Sequence, residues 1–130
     1  MSVLVCGAGP TGLVMAIELA RRGIDVRIVD AREKPSPLSK AAVLWRRSLE
    51  VLHASVPVDS FIRHGRPVKG IQFEDDGSVI EAIRFGENTG LFPHGILLPQ
   101  NRTEFILNHA LEKLGARVER KKEVQSFSVC

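Results

Sequence analysis

Hydrophobic positions along this chain change period several times, and each change marks an element. Val3 to Cys6 is a continuous apolar run of the kind that forms a buried strand. From Pro10 onward Leu13, Ala16, Ile17 and Ala20 recur at helical spacing, and Arg21, Arg22 and Gly23 form a stop signal. A second apolar run, Val26 to Val29, ends on Asp30. Pro35 and Pro37 exclude regular helix from residues 31–39. Helical spacing returns from Ala41 to His53 (Val43 or Leu44, then Leu49, Val51 and Leu52), and a short helix from Val58 to His64 stops at Gly65.

The texture then switches to period two. Val68 to Phe73 and Val79 to Phe85 alternate around the turn signal Asp75-Asp76-Gly77, which predicts a β-hairpin. Residues 86–95 are irregular, and Ile96 to Leu98 reads as a short strand. Asn101 or Thr103 opens a helix carrying Phe105, Ile106, His109, Leu111 and Leu114, closed by Gly115. Val118 to Val129 is strand-like around a polar turn at Lys121-Lys122. The expected organisation is one domain: βαβ over 1–30, a helical segment over 41–64, a hairpin over 68–85, and strand–helix–strand over 96–129. No internal repeat or low-complexity tract interrupts it.

The first strand and helix are joined by Gly7-x-Gly9-x-x-Gly12, with Asp30 eighteen residues further on at the end of the second strand. In a strand–turn–helix setting this is a dinucleotide-binding fingerprint. Gly7 permits the tight turn, Gly9 lets a pyrophosphate approach the backbone, and Gly12 lets helix and strand pack closely. Pro10 suits the first helical position. The helix N-terminus offers N–H groups and a positive dipole end to phosphates. Asp30 is placed to accept hydrogen bonds from a ribose diol, and its charge would repel a 2′-phosphate. The residues point to an adenine dinucleotide.

Composition narrows the field. With 130 residues, 44% hydrophobic and 25% charged, the chain fits a single globular domain able to bury a core. The net charge of +3 is spread in short clusters such as Arg46-Arg47 and Arg120-Lys121-Lys122, which read as solvated faces rather than a nucleic-acid surface. No apolar run reaches membrane-spanning length and no signal-peptide pattern is present, so a cytoplasmic location is the expectation. Cys6 and Cys130 form no metal or redox pair, and Cys6 is expected to be a small buried filler beside the turn. His53, His64, His94 and His109 lack metal-ligand spacing, and no serine has a nucleophile-elbow context. The chain therefore shows neither a catalytic set nor a metal site.

Further segments narrow the family. Asp30-Ala31-Arg32, Pro35, Ser39-Lys40-Ala41, Arg47-Ser48-Leu49-Glu50-Val51-Leu52, and Leu98-Pro99-Gln100 with Thr103-Glu104 and Leu107 resemble the N-terminal region of the FAD-dependent aromatic hydroxylases. These are the single-component flavoprotein monooxygenases related to para-hydroxybenzoate and phenol hydroxylases. The resemblance runs from Ser2 to about Phe127. It implies an α/β, Rossmann-like βαβ FAD-binding fold of the glutathione-reductase-like type, with an inserted antiparallel β-hairpin, incomplete in this chain. It also implies FAD as cofactor, NAD(P)H as reductant, O₂ as oxidant and a small aromatic substrate in the complete enzyme.

Carried over by motif, Gly7, Gly9, Pro10, Thr11 and Gly12 would line the pyrophosphate. Asp30 would hold the adenosine ribose, with Ala31 and Arg32 beside the adenosine. Gln100 would reach toward the ribityl or pyrophosphate region. Lys40 stands where the family usually has an arginine on the pyrophosphate; it keeps the charge and loses the bidentate fork.

The family's later Asp-Gly and Gly-Asp motifs are missing, and Asp76-Gly77 sits in the hairpin, at the wrong position. The sequence stops at Cys130 within strand-like residues. The expectation is the FAD-binding portion of a monooxygenase, truncated and not catalytic alone. Two alternatives stand beside it. One is a free-standing dinucleotide module completed by a partner chain or homodimer mate. The other is a fragment of an NAD-dependent Rossmann dehydrogenase, against which the hairpin and the Ser39-to-Leu52 segment argue.

Overall fold

A computed structural model describes residues 2–37, 43–85 and 90–128. In chain order the elements are β1 (Ser2–Cys6), α1 (Pro10–Ala20), β2 (Asp25–Asp30), β3 (Val43–Leu44), α2 (Arg46–His53), α3 (Asp59–His64), β4 (Arg66–Val68), β5 (Gly70–Asp75), β6 (Ser78–Arg84), β7 (Gly95–Leu97), α4 (Gln100–Lys113) and β8 (Val118–Arg120). They divide into two compact units, one of residues 1–40 and 100–130, the other of 41–99.

The first unit is a parallel sheet ordered β1-β2-β8, with α1 and α4 packed against each other. Ser2 pairs with Asp25 and Cys6 with Val29, while Ile28 to Asp30 pair with Val118 to Arg120. Two adjacent parallel strands require a crossover, and α1 supplies it between β1 and β2. Leu13, Ala16 and Ile17 of α1, Ile28 of β2, and Leu107 and Leu111 of α4 form its buried centre. Gly23 takes a left-handed φ of 72° and turns the chain from α1 toward β2.

The second unit contains an antiparallel sheet ordered β3-β7-β4 and the separate two-stranded ladder of β5 and β6. Leu49 and Leu52 of α2, Phe61 of α3, Phe92 and Ile96 are buried in it. Asp76 and Gly77 both have positive φ, 44° and 78°, at the tip joining β5 to β6. Positive φ at both central residues is what a two-residue type I′ hairpin requires.

Several sequence expectations need correction. Val43 and Leu44 lie in a strand, not in a helix starting at Ala41, because they pair antiparallel with Leu97 and Ile96 of β7. Trp45 is extended and caps α2, so the helix begins at Arg46. Strand structure expected over 118–129 ends at Arg120: Lys121 adopts a left-handed φ of 57°, and residues 121–128 carry no regular element. The helix expected from Asn101 or Thr103 starts at Gln100. Cys6 is exposed rather than buried, since Ser2, Leu4 and Cys6 share the open face of β1. His109 is exposed on α4, 3.9 Å from Glu112, as suits a surface histidine. Finally, the hairpin's alternation does not separate a buried face from a wet one; every residue from Ile71 to Arg84 is exposed.

Candidate functional site

The turn between β1 and α1 is shaped by its glycines. Gly7 has φ of 100°, a conformation that L side chains rarely adopt, and its N–H donates to the Val29 carbonyl at 2.8 Å. A Cβ on Gly12 would lie 1.9 Å from the Gly7 carbonyl oxygen. Helix and turn therefore approach each other as closely as backbone allows. Gly9 is different: it is the N-cap of α1, and a Cβ there would meet nothing within 4 Å. The space in front of Gly9 is open, so the missing side chain serves something other than packing.

No side chain caps α1, and Pro10 occupies its start. Leu13 N–H closes the first turn on the Gly9 carbonyl at 2.9 Å. The N–H groups of Thr11 and Gly12 precede that bond and have no intrahelical acceptor. Free donors and the positive end of the helix dipole thus face the opening beside Gly9, an arrangement suited to a phosphate.

Asp30 ends β2 and is only 4% exposed. Its Oδ2 accepts the Ala8 N–H at 2.8 Å, and its Oδ1 accepts the Arg32 N–H at 2.9 Å. The guanidinium of Arg32 lies 3.4 Å from Oδ1 and that of Arg120 3.6 Å from Oδ2. Burial pushes the carboxyl toward its neutral form. The Ala8 and Arg32 amides and the two guanidinium charges outweigh it and hold Asp30 below the usual carboxylate range. Two backbone donors use only part of the acceptor capacity of an ionised carboxylate, which offers about four lone-pair sites.

After β8 the chain runs beside the Asp30 loop. Lys122 N–H donates to the Asp30 carbonyl at 3.1 Å, and Lys121 N–H approaches the Arg32 carbonyl at 3.4 Å. The result is a depression of about 290 Å³, lined in part by Cys6, Gly7, Asp30, Arg32, Lys122 and Val124. Ala31 also lines it. Arg120, Lys122 and Val124 were not legible as site residues. In the sequence they belong to a short basic cluster and its tail, and only the parallel pairing of β8 with β2 brings them to Asp30. Arg120 is correspondingly less exposed than a solvated arginine, at 22%.

The remaining sequence candidates are placed as follows. Thr11 is exposed at the start of α1 and Ala31 is exposed in the loop. Gln100 is half-buried at the first position of α4; its Nε2 donates to Glu104 Oε1 at 2.8 Å, and it does not line the Asp30 depression. Lys40 lies outside the described residues. Among the described residues no His, Cys, Asp and Glu cluster could hold a metal, and no helix is long and apolar enough to cross a membrane.

Comparison with known proteins agrees with this geometry. Residues 1–129 match the family described as FAD binding domain. Over 98% of its length the chain is 36% identical to 6-methylpretetramide 4-monooxygenase of Streptomyces rimosus, of which it covers 23%. It is 33% identical to pentachlorophenol 4-monooxygenase of Sphingobium chlorophenolicum, with 85% of this chain and 21% of that one aligned. Among solved structures, p-nitrophenol 4-monooxygenase of Pseudomonas putida superposes with a TM-score of 0.90 at 19% identity, over 99% of this chain and 34% of its own. A flavin-dependent monooxygenase solved with FAD and substrate superposes with a TM-score of 0.78 at 21% identity, over 93% of this chain and 24% of its own. The chain thus spans about a quarter of the length of the curated relatives it matches.

Proposed function

The chain belongs to the FAD binding domain family, and from that premise we propose that it forms the N-terminal part of the FAD site of a flavoprotein monooxygenase that hydroxylates aromatic compounds. Its cofactor is FAD. The observation that carries the residue assignment is the pairing of an open phosphate turn at Gly9 with a buried, ionised Asp30 fixed to that turn through Ala8. In this reading the βαβ is Rossmann-like, of the glutathione-reductase-like type, and β5–β6 is its inserted hairpin.

The chain's own residues bind and orient. Gly7, Gly9, Pro10, Thr11 and Gly12 present backbone to the pyrophosphate, with Thr11 and Gly12 N–H as donors. Asp30 accepts the adenosine ribose hydroxyls; Ala31 and Arg32 form a wall of the adenosine pocket. Lys40 adds charge at the pyrophosphate, and Gln100 serves the ribityl side. When bound, FAD supplies the redox chemistry, with NAD(P)H as reductant and O₂ as oxidant. Shielding the reactive flavin end from water is part of such chemistry. No residue here is assigned to that end, so catalysis needs further polypeptide, from the same chain or a partner.

The test is a titration of the chain with FAD, followed by flavin fluorescence and thermal stability. Stoichiometric binding with a raised melting temperature is expected. A folded chain that ignores FAD would refute the assignment of these residues as sufficient for the cofactor site.

A further inference from the structure

The buried face of α4 carries Thr103, Glu104, Leu107 and Leu111. Leu107 and Leu111 belong to the apolar centre formed with α1, and residue 104 lies one turn before Leu107 on the same face. An apolar side chain would suit that place. Instead it holds a glutamate that is only 5% exposed. Among the described residues no cation pairs with Glu104, and its side-chain hydrogen bond comes from Gln100, whose Nε2 donates to Oε1 at 2.8 Å. Burying a carboxyl group costs free energy that one hydrogen bond offsets only in part. Stability therefore does not account for Glu104.

The place of Gln100 supplies the reason. β1, β2 and β8 are parallel; α1 returns from the end of β1 to the start of β2, and α4 runs into β8 through the turn at Gly115. Both helices therefore run opposite to the strands. Their N-termini stand at the same edge of the sheet, the edge that carries the Gly9 turn and Asp30. Gln100 is the first residue of α4 and is half-buried there. A glutamine amide has a donor end and an acceptor end. With the donor end bound to Glu104, the Gln100 carbonyl is turned away from the carboxyl group.

We propose that Glu104 is a positioning residue of the cofactor site: it holds the Gln100 amide so that an acceptor, not a donor, meets the ribityl hydroxyls. The role rests on the proposed FAD site, in which Gln100 serves the ribityl side. A carbonyl acceptor matches a hydroxyl and repels a phosphate oxygen. The pair thus reads the ribityl half of the ligand and leaves the adenosine diphosphate half to Asp30 and the Gly9 turn.

The experiment compares the wild-type chain with Glu104→Leu, Glu104→Gln and Gln100→Leu. Each is titrated with FAD, followed by flavin emission, and with ADP, which has no ribityl chain, followed by calorimetry. Melting temperatures are taken without ligand. Glu104→Leu should melt no lower than wild type, because leucine extends the apolar face. It should nonetheless bind FAD roughly fivefold more weakly and ADP as before. Glu104→Gln, whose carbonyl still accepts from Gln100, should recover most of that loss. With Gln100→Leu in place, Glu104→Leu should cost no further FAD affinity, since the two side chains act as one unit. Unchanged FAD affinity in Glu104→Leu or Gln100→Leu, equal losses for FAD and ADP, or a full added loss in the double variant overturns the proposal and leaves the cofactor assignment standing. So does a Glu104→Leu chain that melts lower or fails to fold, which would make the carboxyl group structural. A folded wild-type chain that ignores FAD overturns the cofactor assignment, and with it this role of Glu104.

Discussion

Asp30 Oδ2 accepts the backbone N–H of Ala8 at 2.8 Å, across the sheet end from β2 into the turn that precedes α1. One carboxylate thereby ties the ribose side of the proposed cofactor site to its phosphate side. The turn cannot move away from Asp30 without stranding a buried donor, and Asp30 cannot be neutralised without loosening the turn. The second oxygen, held by the Arg32 N–H at 2.9 Å, fixes the carboxylate plane.

Asp30→Ala should therefore lower both stability and affinity. Leaving the Ala8 and Arg32 amides without an acceptor costs about 2–4 kcal/mol in total. FAD affinity should fall by roughly tenfold or more through loss of a charge-assisted hydrogen-bond set. Denaturant unfolding and FAD titration of the same variant measure the two effects. A variant of unchanged stability and affinity would reduce Asp30 to a turn residue. The wild-type carboxylate should also favour FAD over NADP, whose 2′-phosphate it repels, and a competition titration reads that directly.

The pH dependence has a definite sign. Because the folded-state pKa of Asp30 lies below its ordinary value of 3.8, its contribution to stability is present above that value. It is lost as pH falls through the lowered folded value. Unfolding free energy should be flat in this contribution from pH 7 to about pH 5 and decline on further acidification. Asp30→Asn should shallow the decline, as seen in urea midpoints taken at successive pH values.

Gly9 and Gly12 should separate folding from binding. Gly12→Ala drives a methyl into the Gly7 carbonyl, 1.9 Å away, a backbone atom that cannot swing aside. A loss of about 3 kcal/mol or more is expected. Gly9→Ala places its methyl in open space at an ordinary φ of −78°, so stability should change little. That methyl occupies the approach to the phosphate donors, and FAD affinity should drop roughly tenfold. Equal melting temperatures for Gly12→Ala and wild type would contradict the packing role.

Arg27 and Glu119 form a bidentate pair between β2 and β8, with both contacts at 2.9 Å on the exposed sheet face. The Glu119 carboxylate raises the Arg27 pKa, and Arg27 lowers that of Glu119. Arg27→Gln should reduce stability only slightly, because exposed pairs are screened by water and ions. The difference from wild type should vanish in molar salt, and FAD affinity should stay as it was. A large, salt-independent loss would show that the pair does more than staple two strands.

Gly77→Ala tests the hairpin alone. Gly77 sits at φ of 78° beside Asp76 at 44°, so a Cβ strains the turn by about 1 kcal/mol. Amide exchange should quicken along β5 and β6, and the FAD titration should be unaffected.

Local chemistry was enough to read much of this protein. The glycine turn, the α1 periodicity and the acid after Val29 lie within thirty residues, and each carries its own conformational demand: a positive φ at Gly7, contact at Gly12, open space at Gly9. Asp76-Gly77 likewise states its turn type in two residues. What sequence could not show depends on partners distant along the chain. Val43 and Leu44 look helical by spacing, yet pairing with β7 makes them a strand. An apolar run implied that Cys6 was buried, whereas exposure is set by what covers a face of the sheet. Arg120 and Lys122 look like a solvated basic cluster until β8 adds to β2 and sets them beside Asp30. Period and turn chemistry are encoded by near neighbours; pairing, burial and the company a charge keeps are fixed only when the chain has closed on itself.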